Sequence, residues 1–500
     1  MDVDRMNGFS HTQGDPGAPG ATKSPSPGDA EFAEGAEADR GMDVDGGASV
    51  RAGAGEGQDP ERIGEPPAPL YTLTNGHSVG VQITPAKVAD LKPTCTILAV
   101  AEANHVTQTL WRPWDPSILA ASGEHFCGLW KVSGHDDRGH VQHTPCHTLI
   151  DRSDNARVTA LAWEPGGSLL AVATYSESEL AGLVRVYDAQ HNIFLDTLPA
   201  AQKIVTSLRW QSVGAKLVGF ACDVDSTLLL WDLSAPHAVA EPASVIVPGQ
   251  VYDAHWAYHG NSSIICAAGD GVIYQCRAVS DLSLEQKWTS DPPGQDQWTF
   301  VRCSWWSDDT AIVIAAAAES SSLWVPSRNI LMRRVHAAEI TALELRPNQM
   351  IHPIQSSAYE FATSSMDNKI KVWRLGHNND HLECLVKVHM GLDSPVLALS
   401  YSPDGLHFAG ASYGDVKVWK ADAGGAAVAQ WNGQDTEWLG GSIKAQLSIA
   451  NGDKMTGDDE QPEFADHSLS WDAEGRNLAF GLGGQVSVLF SNWLPIAGSG

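Results

Sequence analysis

Residues 330–375 read ILMRRVHAAEITALELRPNQMIHPIQSSAYEFATSSMDNKIKVWRL and contain three candidate strands. Ile340–Leu345 alternates apolar with polar residues, Phe361–Ser365 stops shortly before Asp367, and the third strand ends at Trp373. Strict alternation over a short run predicts a half-buried β-strand. The stretch therefore predicts three strands joined by turns.

The positions of a histidine, an aspartate and a tryptophan around these strands are typical of a WD-repeat propeller blade. His336 precedes the first strand, and Asp367 occupies the turn before the strand that ends at Trp373. The Asp367 carboxylate can accept a hydrogen bond from the His336 ring, and that ring can form a second hydrogen bond to a Ser or Thr on the second strand. The same hydroxyl can accept from the indole N–H of Trp373. Such a buried network fixes one strand register. We therefore expect structural rather than catalytic roles for these three residues, and likewise for Asp225 and Trp231 of an earlier repeat.

The composition suits a large β protein and limits its partners. The chain has 500 residues, 18% of them charged, and 18 Trp. A net charge of −28 argues against direct nucleic-acid binding, because phosphate contacts need basic patches, and it favours basic partners or solubility. We expect no signal peptide and no membrane partner, because no apolar run is long enough. The eight Cys are scattered, which predicts reduced thiols.

Residues 1–85 are predicted to be a disordered acidic tail. They are rich in Gly, Ala, Pro, Asp and Glu, so they cannot bury enough apolar surface to offset the entropy of ordering. The Gly-rich run at 51–56 does not predict a phosphate loop, because no strand precedes it and no helix follows it.

One pattern recurs through residues 86–495: a strand, a turn with Pro, Asp or Gly, an apolar strand, a second turn, and a third strand that closes the segment. The eight segments close at Trp130, Tyr187, Trp231, Cys276, Trp324, Trp373, Trp419 and Phe490. Their spacing fits propeller blades with loop insertions. We predict an all-β fold, a WD-repeat β-propeller of eight blades. Seven blades, with one poor segment merged into a neighbour, is the competing count.

The segment Thr94–Val100 alternates like an outer strand, although no blade precedes it. A closed ring leaves no exposed sheet edge. We therefore expect this segment to be the outer strand of the last blade.

Two insertions depart from the repeat. Residues 133–147 concentrate four His and one Cys, but their spacing matches no standard zinc motif, so we expect a polar loop with no metal and no cofactor. Residues from about 432 to 463 form an insertion between the last two repeats, and its stretch from Asn451 to Asp466 is acidic. This stretch is interpreted as a solvated loop, with a rim that attracts basic peptides as the alternative.

We find no nucleophile motif, phosphate loop or paired-carboxylate pattern, so we expect no enzyme activity. In a propeller, the loops that enter the inner strands and those that join the middle strands meet at one face, called here the top face. The candidates placed there by repeat register are His105, Glu124, Arg157, Tyr252, Asp253, Trp298, Glu339, Met366 and Tyr413. Aromatic and acidic groups together could clamp a peptide that bears Lys or Arg. The alternative is that each is an ordinary exposed loop residue.

The order of the repeats resembles that of the transducin beta-like WD-repeat corepressor subunits and their fungal counterparts. The segment VTALAWEPGGSLLAVATYS (158–176) resembles the second repeat of that family. GDGVIYQC closes on Cys276, and the family likewise has a repeat with Cys in place of Trp. The insertion that follows Pro347 falls where the family interrupts a first turn. The likeness covers about residues 90–492.

The resemblance implies a nuclear, non-enzymatic scaffold in a histone-deacetylase complex that acts in transcriptional repression on chromatin. Its implied partners are histone deacetylase, corepressor subunits and histone tails. The family usually begins with a helical dimerisation motif, whereas residues 1–80 show no amphipathic helix pattern, so the oligomeric state and the usual corepressor docking are left open. The alternative function is a substrate receptor of a ubiquitin ligase or a cytoplasmic WD-repeat scaffold. The peptide partner and the import route are not given by the sequence.

Overall fold

A computed structural model describes the strands of the chain and most of the short loops between them. The described residues are 70–72, 78–80, 94–99, 106–135, 141–150, 155–176, 178–200, 203–211, 216–222, 226–233, 242–259, 262–278, 282–305, 310–347, 358–376, 381–392, 394–412, 415–422, 424–432, 468–482 and 485–490. The chain divides into two units, Met1–Glu65 and Pro66–Gly500, and every described residue belongs to the second unit.

The described residues contain eight four-stranded antiparallel sheets, numbered here as blades 1 to 8. Each blade is given from its inner to its outer strand. Blade 1 comprises Val106–Trp111, Ile118–Gly123, Phe126–His135 and Val141–Ile150, and blade 2 comprises Arg157–Trp163, Leu169–Ser176, Ala181–Asp188 and Ile193–Pro199. Blade 3 comprises Ile204–Trp210, Lys216–Cys222, Ser226–Asp232 and Ala243–Val247, and blade 4 comprises Val251–His259, Ser262–Gly269, Val272–Ala278 and Leu282–Thr289. Blade 5 comprises Phe300–Trp305, Ala311–Ala317, Ser322–Val325 and Ile330–Met332, and blade 6 comprises Ile340–Leu345, Ala358–Ser365, Lys369–Gly376 and Leu382–His389. Blade 7 comprises Ala398–Tyr401, His407–Ala411, Asp415–Lys420 and Ala429–Asn432, and blade 8 comprises Ser468–Trp471, Asn477–Leu482, Gln485–Phe490 and Thr94–Ala99.

The eight inner strands form a closed cycle of neighbours. Each inner strand contacts the inner strand of the next blade, and the inner strand of blade 8 contacts that of blade 1. The predicted all-β WD-repeat propeller is confirmed. The cycle of eight sheets favours eight blades over the competing seven.

Blade 8 is completed by a strand from the opposite end of the propeller sequence. Thr94–Ala99 pairs with Gln485–Phe490, so that Thr94 lies opposite Phe490 and Ala99 opposite Gln485. The prediction that the solitary early strand closes the last blade is confirmed. Because of this exchange, Gln485–Phe490 is paired on both sides and is not left as an open edge.

Apolar side chains fill the spaces between adjacent blades. The largest fully buried side chains include Trp163, Trp210, Trp298 and Trp419. Burying a large apolar side chain stabilises the folded state by roughly 1.5–3 kcal/mol, which makes these aromatic residues a principal source of inter-blade cohesion.

Tryptophans at the ends of inner strands also link neighbouring blades through hydrogen bonds. The indole N–H of Trp163 donates to the carbonyl of Leu110 over 3.1 Å, so blade 2 is joined to blade 1. Trp111 donates in the same way to the carbonyl of Ser470 over 3.1 Å, so blade 1 is joined to blade 8. One recurring contact therefore operates both within the ring and across its closure.

An arginine directly after the inner strand, followed in the sequence by a proline, forms a second recurring link between neighbouring blades. The Arg112 Nε donates to the carbonyl of Gly167 over 2.7 Å, and the Arg346 Nε donates to that of Gly405 over 2.7 Å. Both glycines have positive φ, +72° and +68°, which L side chains rarely adopt. The turn after the inner strand of the next blade is thus shaped to present its carbonyl to the arginine.

A small hairpin lies within the stretch predicted to be disordered. Leu70–Thr72 pairs with Ser78–Gly80. The sequence between the two strands includes an Asn-Gly pair at 75–76, a turn signal that the composition argument did not use. The rest of residues 1–85, and the insertion at 433–463, lie outside the described residues. No helix in the described part is long and apolar enough to cross a membrane.

Candidate functional site

Blade 6 contains a continuous chain of buried hydrogen bonds. The ring Nδ1 of His336 lies 3.1 Å from Asp367 Oδ1, and its Nε2 lies 2.8 Å from Thr363 Oγ1. The indole N–H of Trp373 donates to the same Thr363 oxygen over 2.9 Å. These four residues therefore run in the order Asp, His, Thr, Trp that the sequence suggested.

The electrostatics of this chain favour a neutral histidine. Burial lowers the pKa of His336 to about 4, even though the neighbouring Asp367 opposes the shift. Burial also acts to raise the pKa of Asp367, but the Ala337 N–H and the His336 ring outweigh it and hold that pKa below its usual value. The side chains of His336 and Asp367 are 0% and 6% exposed, so very little of either faces solvent.

The other predicted network residues are divided between described and undescribed parts of the chain. Trp231 is buried in the core between blades 2 and 3. Asp225 lies outside the described residues.

Two predicted top-face residues form an ion pair with each other. The Arg157 Nε lies 3.1 Å from Glu124 Oε1, and each side chain is about half exposed. Arg157 begins the inner strand of blade 2, and Glu124 lies in the turn between the middle strands of blade 1. Their charges largely cancel at this place.

Tyr252 and Asp253 also contact protein groups. The Tyr252 hydroxyl donates to Asp270 Oδ1 over 2.9 Å. Asp253 Oδ2 accepts from Arg302 over 2.7 Å and from the Val301 N–H over 3.0 Å. Arg302 in turn donates to Glu344 over 3.1 Å, so one guanidinium joins the inner strands of blades 4, 5 and 6. Sequence reasoning missed this central arginine.

The placement of Trp298 on the exposed top face is wrong. Its side chain is 0% exposed and lies with its ring centroid 5.0 Å from that of Trp324. The loop that carries it is pinned to blade 4, because the Trp298 N–H donates to the Gly269 carbonyl. The indole is thereby directed into the apolar core between blades 4 and 5.

The remaining predicted positions do not assemble into one clamp. Glu339 is exposed and Met366 is half-buried, and the Met366 N–H donates to the Glu339 carbonyl over 2.9 Å. His105 and Tyr413 lie outside the described residues. Among the described residues, most of the predicted set is paired locally rather than directed at a shared ligand.

A concave surface that the sequence reasoning did not select lies between blades 5 and 6. Its volume is about 760 Å³. We call it the blade 5–6 groove, and its lining is Gln295, Asp296, Glu319, Ser320, Ser321, Ser322, Arg333, Arg334, Val335, His336, Ala337, Ala338, Asp367, Lys369 and Lys371. The adjacent Arg333-Arg334 pair was the signal that could have indicated it.

The part of the chain that the structure describes holds no cluster of three or more His, Cys, Asp or Glu able to bind a metal ion. Residues 133–147 contain five His and Cys residues, and the side chains of four of them lie outside the described part of the structure. The fifth, His147, is half-buried on the outer strand of blade 1.

Two family models match parts of the chain. The WD domain, G-beta repeat, matches residues 383–420, and the anaphase-promoting complex subunit 4 WD40 domain matches residues 140–213. Both matches fall within the propeller.

The chain is weakly similar to curated transducin beta-like proteins. It is 24% identical over 179 residues to the human F-box-like/WD repeat-containing protein TBL1X, which is 35% of this chain and 29% of that protein. It is 23% identical over 211 residues to human TBL1Y, which is 41% of this chain and 38% of that protein. The resemblance to this family inferred from the repeats is confirmed. The matches span less than half of the relatives' length.

A solved structure shows the same fold. The C-terminal WD40 domain of Sif2 superposes with a TM-score of 0.53 at 16% identity, over 79% of this chain and 98% of that domain.

Proposed function

We propose that this chain is a non-enzymatic scaffold in a nuclear histone-deacetylase corepressor complex. It acts in transcriptional repression by binding histone tails or other protein partners. The similarity to TBL1X and TBL1Y supports this proposal, together with the propeller fold that places eight sheets around one ring.

The charge of the chain supports a basic partner. A net charge of −28 attracts positively charged segments and repels nucleic acid, so contact with chromatin occurs through proteins. Glu339 is an exposed acidic group at the top of blade 6 that suits such a segment.

Affinity purification from separate nuclear and cytoplasmic extracts tests this role. The tagged chain is expected to recover a histone deacetylase and corepressor subunits from the nuclear extract. A matched chain that begins at Asp90 keeps the closing strand of blade 8 and shows whether the N-terminal segment is needed. Absence of deacetylase from the nuclear eluates of both chains contradicts the proposal.

A ubiquitin-ligase substrate receptor is the second candidate. The relatives TBL1X and TBL1Y are named F-box-like proteins, and one matching family model is that of an anaphase-promoting complex subunit. Recovery of cullin components without chromatin proteins in the same purification favours this candidate.

A further inference from the structure

The blade 5–6 groove combines buried acids with accessible bases. Asp296 is paired with Arg333 over 2.7 Å, and their side chains are 0% and 34% exposed. Asp367 is paired with Lys369 over 3.4 Å, and these side chains are 6% and 22% exposed. The positive partner is the more accessible one in each pair, so the groove presents positive charge to solvent.

Arg334 is the side chain in the groove that is most available to bind a ligand. It is exposed, and within the described residues its guanidinium has no hydrogen-bond or ion-pair partner. Arg333, by contrast, donates to both Asp296 oxygens and to the Asp291 carbonyl. Glu319 is an exposed acid on the rim of the same groove.

The backbone that carries Arg334 is held in place before any ligand arrives. Arg334 has φ of +56°, a conformation that costs a non-glycine residue roughly 1–2 kcal/mol. Next to it, the Val335 N–H donates to the Ser321 carbonyl over 2.8 Å, and the Val335 carbonyl accepts from Lys371. A fixed loop loses little freedom on binding, which favours affinity.

We propose that the blade 5–6 groove binds a protein segment bearing a phosphoserine or phosphothreonine, with Arg334 as the principal contact. Arg333, Lys369 and Lys371 add positive charge around it. A phosphate group carries nearly two negative charges and several acceptor oxygens, which match clustered Arg and Lys side chains.

The overall charge favours one concentrated anion over a long acidic segment. The chain carries a net −28, so a run of Asp and Glu is repelled along most of its length. Charges farther than about 8 Å apart are screened at physiological salt, so a single phosphate in a basic groove is attracted locally. The groove goes beyond the scaffold role, because it does not depend on which complex contains the propeller.

A degenerate peptide library with a fixed central phosphothreonine, passed over the immobilised chain, provides the first test. Retention above that of the matched unphosphorylated library is expected. An enriched peptide is then labelled, and its affinity is measured by fluorescence anisotropy. Arg334→Glu is expected to weaken binding by at least about tenfold, because it replaces a charge-assisted contact with repulsion.

Lys131→Glu is the matched control, since it makes the same charge change at an exposed residue of blade 1, which does not line the groove. It is expected to leave the affinity within about twofold of the parent, because distant surface charges are screened at physiological salt. Both variants should melt at the parent temperature. Equal retention of the two libraries, or equal losses in the two variants, overturns the proposal. Inorganic phosphate at the same concentration as the peptide should not displace it. If it does, the groove recognises phosphate rather than a protein segment, which also overturns the proposal.

Discussion

At the scale of single residues, the buried chain in blade 6 persists because every polar atom in it has a partner. Asp367 accepts from the Ala337 and Lys369 backbone N–H groups as well as contacting His336. A buried polar group that loses its partner costs its full desolvation free energy. The network thus stabilises one arrangement of the turn.

Replacing Asp367 by alanine removes the partner of His336 and of two backbone N–H groups. The free energy of unfolding is expected to fall by about 1–3 kcal/mol, measured by urea denaturation. The control is Glu339→Ala, an exposed residue at the same end of the blade, which should change stability by less than about 0.5 kcal/mol. Equal stability of Asp367→Ala and the parent contradicts the structural role of the network.

Acid should weaken the same network. The folded-state pKa of His336 is about 4, below its ordinary value of 6.5, so the unfolded chain binds the extra proton first. Stability therefore falls as pH drops from about 6.5 to about 4, by at most about 1.4 kcal/mol per pH unit from this group. Urea titrations of the parent and of His336→Gln at pH 5 and pH 7 measure the difference. A parent whose pH slope equals that of the variant excludes this effect.

At the scale of elements, turns depend on backbone conformations that few residues adopt. A Cβ added to Gly405 lies 2.5 Å from the Pro347 carbonyl oxygen, whereas one added to Gly294 meets no atom within 4 Å. Their φ angles are +68° and +70°. The two positions therefore share the conformational strain and differ in steric space.

Gly405→Ala is expected to destabilise the chain by roughly 2–4 kcal/mol, from left-handed strain plus the clash with Pro347. Gly294→Ala should cost only the strain, about 1–2 kcal/mol. Thermal melts of both variants give the difference. If the two variants lose the same stability, the link from Arg346 to the Gly405 turn does not depend on close packing.

The strands of blade 6 were predictable from sequence because local patterns determine them. Ile340–Leu345 forms the inner strand with the predicted bounds, whereas the second strand begins earlier than predicted, at Ala358. The fifth repeat, which closes at Trp324, follows the pattern less closely. Trp324 pairs with Ala315 close to the turn, whereas Trp373 of the sixth repeat pairs with Phe361 farther along its strand. The two tryptophans therefore do not occupy equivalent positions in their blades. The burial of Trp298 and the groove between two blades depend on contacts between blades, which no local pattern contains.

At the scale of the whole molecule, the ring depends on the strand Thr94–Ala99. A chain that begins at Ala103 lacks it and leaves Gln485–Phe490 as an open edge. Compared with the chain that begins at Asp90, its stability is expected to be lower by about 3 kcal/mol or more, because six residues of strand pairing are lost. Urea denaturation and light scattering compare the two chains. Equal denaturation midpoints show that the strand does not close the ring.

Thr94 lies opposite Phe490 in the same sheet, and this has a consequence for the connectivity of the chain. A circular permutant that joins residue 490 to residue 94 through a short linker, and opens between residues 432 and 468, builds every blade from one contiguous segment. In the parent, the pairing of Thr94–Ala99 with Gln485–Phe490 spans nearly the whole sequence. In the permutant it becomes a local hairpin, so closing the loop costs less conformational entropy. Such a permutant should fold faster than the parent while keeping the same architecture, because topology limits folding rates more than it limits stability.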